Sequence, residues 1–381
     1  MLRVLHLADL HLGWRPRALG GREDERGRER DGLLARAVDW ATDAKNAIGL
    51  VIIAGDLFES FDPPPALLEE TLRQLRRLVR AGVALVTVPG NHDEVSYPRS
   101  AYRALAGDWP GLLVLNPMPA LAATLAIGGA ACHIYGCAYV SGVTQTAPPL
   151  CQFPRGDAAG VHVAAFHGSL DWGGDRSLPL DAAALLGAGY DYVALGHIHR
   201  PAERRHGKSL AVYPGAIEAK GFDDAGCGSM VVACLGDGPA RVERVPISVR
   251  PCRVHALDAG RYDSLAALLE AAAGLAEGGA MVRLQLSGSA PFALDAADLA
   301  ARLAPSFWYL EVEGAALGVD EALISRLADE PTVRGVFIRR LRGRIAAAGG
   351  GRERGRECER ELQAARRALL AGLDALRGEA E

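Results

Sequence analysis

The sequence predicts an α/β fold in which helices cover a largely parallel sheet. Short apolar runs of strand length recur at residues 2–7, 50–54, 84–88, 161–166 and 192–195. Helical stretches at residues 30–45 and 65–81 separate the first three runs, and the second stretch carries a stripe of leucines. Strands that alternate with helices form parallel sheets with both faces buried.

The composition is that of a globular chain with more than one domain. A length of 381 residues predicts two or three domains. Apolar residues make up 49% of the chain but never run 18 together, so we expect no membrane span. His6 and Asp9 come too early for a signal peptide. Seven cysteines without a CxxC pair predict free thiols, and together these features predict a cytoplasmic protein.

Each of the five predicted strands is followed by polar residues. Taken alone, most of these groups are as well explained by a turn, a helix cap or a hydrogen-bonded histidine. The His-Ile-His pair is the exception, because alternate residues of an extended segment point the same way and both imidazoles can face one point. Sites in parallel sheets gather where the strands end, so five such groups favour one shared site. The groups are Asp9-Leu-His11, Gly-Asp56, Asn91-His92-Asp93, His167 and His197-Ile-His199.

The residue types in this set indicate a metal site. Four His, two Asp and one Asn offer seven nitrogen and oxygen donors. This number exceeds the four ligands of one tetrahedral ion and suits two ions that share a carboxylate. Imidazole mixed with carboxylate favours manganese, iron or zinc. Two such ions clamp the attacking and leaving oxygens of a phosphoryl displacement and provide hydroxide near neutral pH. In this interpretation Asn91 is a ligand, His92 transfers a proton or stabilises charge, and Asp93 orients His92.

The pattern resembles the calcineurin-like metallophosphoesterase superfamily over about residues 1–235. Within it, the sequence is most similar to SbcD-type DNA repair exonucleases and their YhaO-like relatives. The motifs that carry the closer resemblance are HLADLHLGW (6–14), IAGDLF (53–58), GNHD (90–93), LGHIHRP (195–201) and VYPGAIEAKGF (212–222). The resemblance implies a four-layer αββα sandwich followed by a small α/β capping domain.

The resemblance also implies a role for each site residue. Asp9, His11 and His199 would bind one divalent ion, with Mn²⁺ favoured. Asn91, His167 and His197 would bind a second, and Asp56 would bridge the two. His92 would contact the scissile phosphate, with Asp93 beside it. Tyr213, Pro214 and Gly215 correspond to a DNA-facing loop.

Two positions depart from the pattern of this family. The family often carries His directly after Gly-Asp-Leu-Phe, where this chain has Glu59, and a carboxylate there is expected to repel phosphate. The Tyr-Pro-Gly segment usually continues with Ser, and this chain has Ala216, which lacks a hydroxyl. Neither departure changes a metal ligand, so we expect hydrolysis with an altered substrate preference.

The remaining chain predicts a second domain and a tail. A strand, helix, strand, helix and strand are expected near residues 253–257, 264–276, 281–287, 293–303 and 307–313. The predicted limits are 1–248 for the nuclease domain, 249–348 for the capping domain, and 349–381 for a linker and an amphipathic C-terminal helix. Residues 331–381 hold 12 Arg, no Lys and 7 acidic residues, a net charge of about +5.

The C-terminal helix, residues 358–376, carries a leucine stripe at positions 362, 369, 370, 373 and 376. This stripe either packs on its own domain or docks into a partner groove. The resemblance implies an SMC-like ATPase of the SbcC or YhaN type as that partner. It also implies a homodimer through core helices, with residues 65–81 as a candidate face.

The predicted function is therefore that of a manganese-dependent DNA exonuclease that acts in the repair of DNA ends. Endonuclease activity is a further possibility. One alternative is a small-molecule phosphodiesterase or phosphatase on the same core. Another is a DNA-end-binding scaffold that has lost catalysis, which would predict a missing ligand. The set of seven candidate ligands is complete.

Overall fold

The computed structural model describes residues 1–140, 150–171, 177–224, 226–236, 238–292, 294–318 and 321–349. Contacts divide the chain into a first compact unit, Met1–Cys252, and a second unit that begins at Arg253. The predicted C-terminal helix, residues 358–376, lies outside the described residues. Among the helices that the structure describes, none combines the length and apolar composition that crossing a membrane requires.

The described residues form the following strands and α-helices. The strands are β1 (Leu2–Leu7), β2 (Leu50–Ala54), β3 (Ala84–Val88), β4 (Leu112–Leu113), β5 (Ala120–Ile127), β6 (Ala130–Gly136), β7 (Val161–His167), β8 (Ser169–Leu170), β9 (Pro179–Leu180), β10 (Tyr192–Gly196), β11 (Ala202–His206), β12 (Ser209–Tyr213), β13 (Ser229–Gly236), β14 (Gly238–Pro246), β15 (Cys252–Asp258), β16 (Met281–Gly288) and β17 (Tyr309–Leu317). The helices are α1 (Glu23–Asp31), α2 (Leu33–Thr42), α3 (Pro65–Arg80), α4 (Ala101–Ala104), α5 (Ala182–Gly187), α6 (Leu265–Ala273), α7 (Ala296–Leu303), α8 (Glu321–Ala328) and α9 (Val333–Gly349).

The first unit is built on two six-stranded sheets. The first sheet has the order β14-β13-β1-β2-β3-β4, and the second has the order β11-β12-β10-β7-β6-β5. Strands β1 to β4 pair in parallel, as do β6, β7, β10 and β12, while β13, β14, β5 and β11 pair antiparallel. All five strands predicted from the sequence are therefore central and parallel to one another within their sheets.

Alternate side chains of the first sheet enter two different cores. Leu5 and Ile53 pack with the helices on the outer face. Val4 and Ile52 pack with residues of the second sheet, such as Val163. Because successive side chains of a strand point to opposite faces, a strand buried on both faces reads as a continuous apolar run. With α5 packed on the far face of the second sheet, the arrangement is the expected four-layer αββα sandwich.

The first predicted helix is wrong in extent. Residues 30–45 were expected to form one helix, but α1 and α2 meet at Gly32, and a 3₁₀ turn, Ala44–Asn46, follows α2. Helix α1 reads EDERGRERD and has no apolar stripe, so hydrophobic periodicity could not detect it. Its buried face consists of Arg26, Gly27 and Arg30.

Helix α3 matches its prediction, and its leucine stripe faces its own core. Leu72, Leu75 and Leu78 are buried, and Leu67 and Leu68 pack against the same cluster. The stripe therefore does not provide an exposed apolar face for a second copy. A dimer through α3 would have to use its charged outer side.

The second unit follows the predicted order of elements. Its three-stranded sheet has the order β15-β16-β17, with α6 and α7 between the strands in sequence. Val282, Leu284 and Leu286 are buried, whereas Arg283 and Gln285 are not, so one face of β16 is covered as expected. Helices α8 and α9 follow and share a small core that includes Ile324 and Ile338.

The cysteines among the described residues all have free thiols, as the sequence predicted: Cys132, Cys137, Cys151, Cys227, Cys234 and Cys252. Burial raises the pKa of the Cys137 thiol to about 12. A thiol in such a setting stays protonated and unreactive at neutral pH.

A buried ionic network joins α1 to the segment after β12. Arg26, Arg30 and Glu218 are each no more than 1% exposed. Arg26 donates to Glu218 Oε1 (3.0 Å) and to the carbonyl of Ala219 (2.7 Å). Arg30 donates to the carbonyls of Leu10 (2.9 Å) and Glu218. Burial lowers the pKa of Arg30 to about 10, so it remains charged at neutral pH.

Glu218 is the carboxylate on which this network depends, because it also accepts hydrogen bonds from Ser248 Oγ and from the backbone of Val249. We predict that Glu218→Gln lowers stability by about 3–5 kcal/mol, since it removes the nearer of the two carboxylates that face buried Arg26, the other being Glu29 at 3.8 Å. That loss corresponds to a fall of roughly 6–20 °C in Tm. Thermal unfolding measures it.

The matched control is Glu203→Gln. Glu203 is 42% exposed and lies 3.2 Å from Arg244. Exposed pairs contribute about 0–1 kcal/mol, so its Tm should change by no more than a few degrees. Equal melting of the two variants would contradict the assigned role of Glu218.

Candidate metal centre

The predicted ligands come together where strands of both sheets end. Asp9 and His11 follow β1, Asp56 follows β2, and Asn91 follows β3 in the first sheet. In the second sheet His167 ends β7, and His197 and His199 follow β10. The sheets face each other, so their carboxyl ends meet in one place, as parallel-sheet topology predicts.

The backbone at the site is strained. Asp9 (φ 53°), His11 (φ 50°), Asp56 (φ 50°) and His197 (φ 96°) all adopt left-handed conformations. Such conformations cost about 1–3 kcal/mol each for residues other than glycine and concentrate at functional sites. Backbone hydrogen bonds hold the loops in place. His11 N–H donates to the carbonyl of Asp56 (2.9 Å), and Asp9 N–H donates to the carbonyl of Gly55 (3.2 Å).

Two glycines allow the loops to approach this closely. A Cβ at Gly90 would lie 2.2 Å from Asp56 Oδ1. A Cβ at Gly196 would lie 1.9 Å from the carbonyl oxygen of Ala54. Glycine is therefore required at both positions by the packing around Asp56 and between the sheets.

Asp56 lies at the centre of the cluster. Its Oδ2 atom is 3.6 Å from His11 Nε2 and 3.4 Å from His167 Nε2. Its Oδ1 atom accepts the backbone N–H of His92 (2.9 Å). One buried carboxylate thus lies between imidazoles of the two sheets.

The other candidate ligands lie on either side of Asp56. On one side, His11 Nε2 and His199 Nε2 are 3.2 Å apart. On the other, Asn91 Oδ1 lies 2.9 Å from His167 Nε2 and 3.0 Å from His197 Nδ1. Asp9 accepts the backbone N–H of His197 (3.0 Å), which ties the two sheets together.

Within the part of the chain that the structure describes, three groups of side chains are close enough to hold a cation. Within each group, one donor atom from every residue lies within 4.8 Å of the others. The groups are Asp9 with His11 and His199, His11 with Asp56 and His92, and Asp9 with Asp56 and His167. Mixed imidazole and carboxylate donors, nearly all buried, fit divalent metals.

Three of the candidate ligands, His11, His167 and His199, each have an acceptor next to Nδ1 that is not itself a candidate ligand. His11 Nδ1 lies 2.8 Å from Glu59 Oε2, and His199 Nδ1 lies 3.1 Å from Asp224 Oδ1. His167 Nδ1 lies 3.0 Å from the carbonyl of Ala54. Acceptors at Nδ1 fix the ring proton there and leave the Nε2 lone pair available for a metal.

The sequence did not single out Asp224 or Lys220, and it assigned Glu59 the wrong electrostatic setting. Asp224 lies 25 residues beyond His199, at no spacing that a ligand motif would specify. Lys220 Nζ lies 2.7 Å from Glu59 Oε2, so the Glu59 charge is paired. Burial opposes ionisation of Glu59, but hydrogen bonds from His11 and Lys220 outweigh it and lower its pKa to about 2. The pairing with Lys220 weakens the repulsion of phosphate that the sequence predicts for this carboxylate.

His92 is the most exposed of the predicted catalytic groups, with 37% of its side chain accessible. Its Nδ1 lies 3.3 Å from the carbonyl of Glu59, and its ring meets that of His11 edge-on at 4.7 Å. Asp93 was expected to orient this ring. Instead, its carboxylate accepts the N–H of Gly90 (2.7 Å), the N–H of Phe58 (3.0 Å) and the hydroxyl of Tyr102 (2.8 Å). The Asp93 carboxylate therefore binds the backbone of the loop that carries His92.

The predicted DNA-facing segment is buried. Tyr213, Pro214 and Gly215 are all buried. The Tyr213 hydroxyl donates to the carbonyl of Gly168 (2.7 Å), which is next to His167 in sequence. Ala216 is fully buried as well, so a hydroxyl at that position would not face a substrate. This segment supports the site from within. Its burial argues against the contact with DNA that the resemblance implies.

The ionisation of the site follows from the central carboxylate. Burial opposes the charge on Asp56, but the charges of His167 and His11 outweigh it and hold its pKa far below the usual range. Burial would likewise lower the pKa of His167, yet the Asp56 carboxylate raises it to about 9. Burial, followed by the charge of Asp56, raises the pKa of Asp93 to about 6.

Several known proteins are similar to this chain in sequence. Mre11 of Aeropyrum pernix, named a DNA double-strand break repair protein, is 28% identical over 66% of this chain and 62% of its own. The SbcD component of the nuclease SbcCD from Bacillus subtilis is 28% identical over 59% and 64% of the two chains. The metallophosphoesterase YhaO of the same bacterium is 24% identical over 59% and 55%. The chain thus spans less than two thirds of the length of these relatives.

The family assignment rests on a longer match than any single motif. Residues 2–201, just over half of the chain, match the calcineurin-like phosphoesterase family. That stretch contains every predicted metal ligand together with His92 and Asp93. The chain therefore belongs to the calcineurin-like phosphoesterase family.

Proposed function

We propose that this protein is a metal-dependent DNA phosphodiesterase that processes DNA ends in repair. The observation that carries the proposal is the position of Asp56, whose single oxygen Oδ2 lies between His11 Nε2 and His167 Nε2. A carboxylate so placed can be shared by two cations. The relatives named as nuclease or break-repair proteins support DNA as the substrate.

The donor set fits two divalent ions. Asp9, His11 and His199 would hold one, and Asn91, His167 and His197 would hold the other, with Asp56 shared. We favour manganese, with iron or zinc as the alternatives, because the donors are imidazoles and oxygens without thiolate. When bound, two such ions clamp the attacking and leaving oxygens of a phosphoryl displacement and provide hydroxide near neutral pH.

The protein groups around the cations prepare the site for phosphate. Glu59 and Asp224 hold the rings of His11 and His199 in one tautomer. Lys220 cancels the charge of Glu59 beside His92. His92, partly exposed and fixed at its backbone by Asp56, is the group we assign to proton transfer to the leaving oxygen.

Metal uptake should depend on pH through His167. In the metal-free protein its pKa is raised to about 9, above the usual 6.5, so the imidazole is protonated at pH 7. Metal ligation requires the neutral ring, so binding must release this proton. We predict that the apparent Mn²⁺ affinity rises by about tenfold per pH unit up to pH 9 for this single proton.

Calorimetric titration of Mn²⁺ at pH 7, in buffers with different ionisation enthalpies, measures the released protons. A count near zero, or an affinity that is constant between pH 6 and 9, would contradict this account. The raised pKa also means that His167 contributes stability to the metal-free fold in full below pH 6.5. That contribution is lost as the pH rises through 9.

The activity itself is tested with linear duplex DNA, single-stranded DNA and an aryl phosphodiester in the presence of Mn²⁺. We expect cleavage of DNA from its ends, and loss of cleavage in a chelator. Hydrolysis of the aryl ester without any cleavage of DNA would instead favour a small-molecule phosphodiesterase.

Two variants separate metal binding from proton transfer in the same assay. Asp56→Ala should lose hydrolysis together with bound metal, because it removes the shared carboxylate. His92→Ala should retain metal and lose about 10²–10⁴-fold in rate. Metal analysis that finds two ions in Asp56→Ala, or near-normal turnover of metal-loaded His92→Ala, would refute the corresponding role.

We also propose that the C-terminal region binds an SMC-like ATPase. The support is the leucine stripe of residues 358–376, which lies outside the described residues, and the relative named as a component of a nuclease complex. Replacing Leu369 and Leu373 with Glu should abolish co-purification with the ATPase, since charge buried in an apolar groove costs several kcal/mol. The Tm of the isolated chain should not change. A lowered Tm with intact binding would mean that the helix packs on its own chain.

A further inference from the structure

An exposed aromatic ring lies on the segment that follows Asn91 and His92 of the candidate metal centre. Tyr97 is 45% exposed, and no other Tyr, Trp or Phe side chain among the described residues is as exposed. One face of its ring stacks on Phe61, with ring centres 4.1 Å apart and planes inclined by 22°. A large apolar ring kept in water and supported from behind is suited to binding a flat ligand.

The chain places this pair close to His92 and Glu59. Phe61 is two residues beyond Glu59, whose carbonyl oxygen lies 3.3 Å from His92 Nδ1. Two residues of fully extended chain span at most about 7 Å. Tyr97 follows His92 by five residues and returns to stack on Phe61. The stacked rings of Phe61 and Tyr97 therefore lie within a few nucleotides of the groups that would act on phosphate.

Hydrogen bonds hold both segments in place before any ligand binds. The carbonyl of Phe61 accepts the N–H of Ala101 (2.9 Å), and the carbonyl of Tyr97 accepts the N–H of Ser100 (3.0 Å). Arg99, two residues after Tyr97, forms an ion pair with Asp62, which follows Phe61, and so links the two segments again. A fixed ring loses little conformational entropy on binding, which favours affinity.

We propose that Tyr97, supported by Phe61, stacks on a nucleobase of the strand whose phosphodiester occupies the candidate metal centre. This inference rests on the proposed DNA phosphodiesterase function and specifies how that site holds its substrate. Every base offers a flat face, so the contact selects no sequence. It does require an unstacked base, and the site therefore engages a single strand or a frayed end.

The test is an abasic scan read by cleavage. The full chain with Mn²⁺ cleaves end-labelled single-stranded oligothymidylates in which one position at a time is replaced by a tetrahydrofuran residue. Stacking of one base on an aromatic ring contributes about 1–3 kcal/mol, or roughly 5- to 150-fold in kcat/KM. We expect this loss at one or two positions next to the cleaved bond, and smaller effects elsewhere.

The same scan with Tyr97→Ser identifies the residue responsible. Its kcat/KM on unmodified DNA should fall by the same factor, and removing the sensitive base should then cost nothing further, because the two changes delete one contact. Tyr97→Leu, which keeps apolar bulk without a ring, should behave like Tyr97→Ser and guards against a folding defect. Tyr97→Phe should restore the position dependence. The matched control, Val79→Ser, removes a side chain of similar exposure (44%) from α3 and should match the unmodified protein.

The outcomes are distinguishable. Absence of any DNA cleavage by the unmodified chain would overturn the proposed function and this inference together. Normal cleavage with a flat abasic scan, or a scan that keeps its position dependence in Tyr97→Ser, would overturn this inference alone.

Discussion

The structure of the site depends on one buried carboxylate placed between two sheets. Asp56 is 2% exposed, and its oxygens face His11 from its own sheet, His167 from the other sheet and the N–H of His92. A carboxylate in this setting is unstable without opposite charge. In the metal-free protein His167 provides that charge, because the Asp56 carboxylate stabilises its protonated form and so raises its pKa. A divalent cation at the same place would provide more positive charge, so this arrangement is suited to metal binding.

The same constraint explains the strained loops and the glycines. Side chains from five strands can reach one point only if the chain turns sharply after each strand, and four of the predicted ligands take left-handed conformations to do so. Gly90 and Gly196 remove the Cβ atoms that would otherwise hold the loops apart. Buried Arg30 stabilises one of these turns by binding the carbonyl of Leu10, between Asp9 and His11. The packing of the whole first unit thus offsets a local cost at the site.

The family resemblance implied the four layers. Periodicity and strand-end chemistry predicted the central strands and the residues that converge on the site. These features follow from local sequence, because a strand buried on both faces reads as an apolar run and a ligand follows its end. Helix α1 could not be predicted in this way, since its buried face consists of arginines whose counter-charge, Glu218, is 192 residues away from Arg26 in sequence. Asp224 and Lys220 could not be predicted for the same reason. Their contacts with His199 and Glu59 are set by tertiary structure and not by spacing.

Glu59, which departs from the family pattern, takes its electrostatic effect from its neighbours. Considered alone, an acidic residue beside a phosphate site predicts repulsion. In the structure its carboxylate contacts His11 Nδ1 and Lys220 Nζ at once, so the pair adds little net charge while the carboxylate supports a candidate ligand. An imidazole at this position could not both accept from a histidine ring and neutralise a lysine. Glu59 and Lys220 are therefore best regarded as one unit, and the chemistry next to His92 is determined by the pair and not by either residue alone.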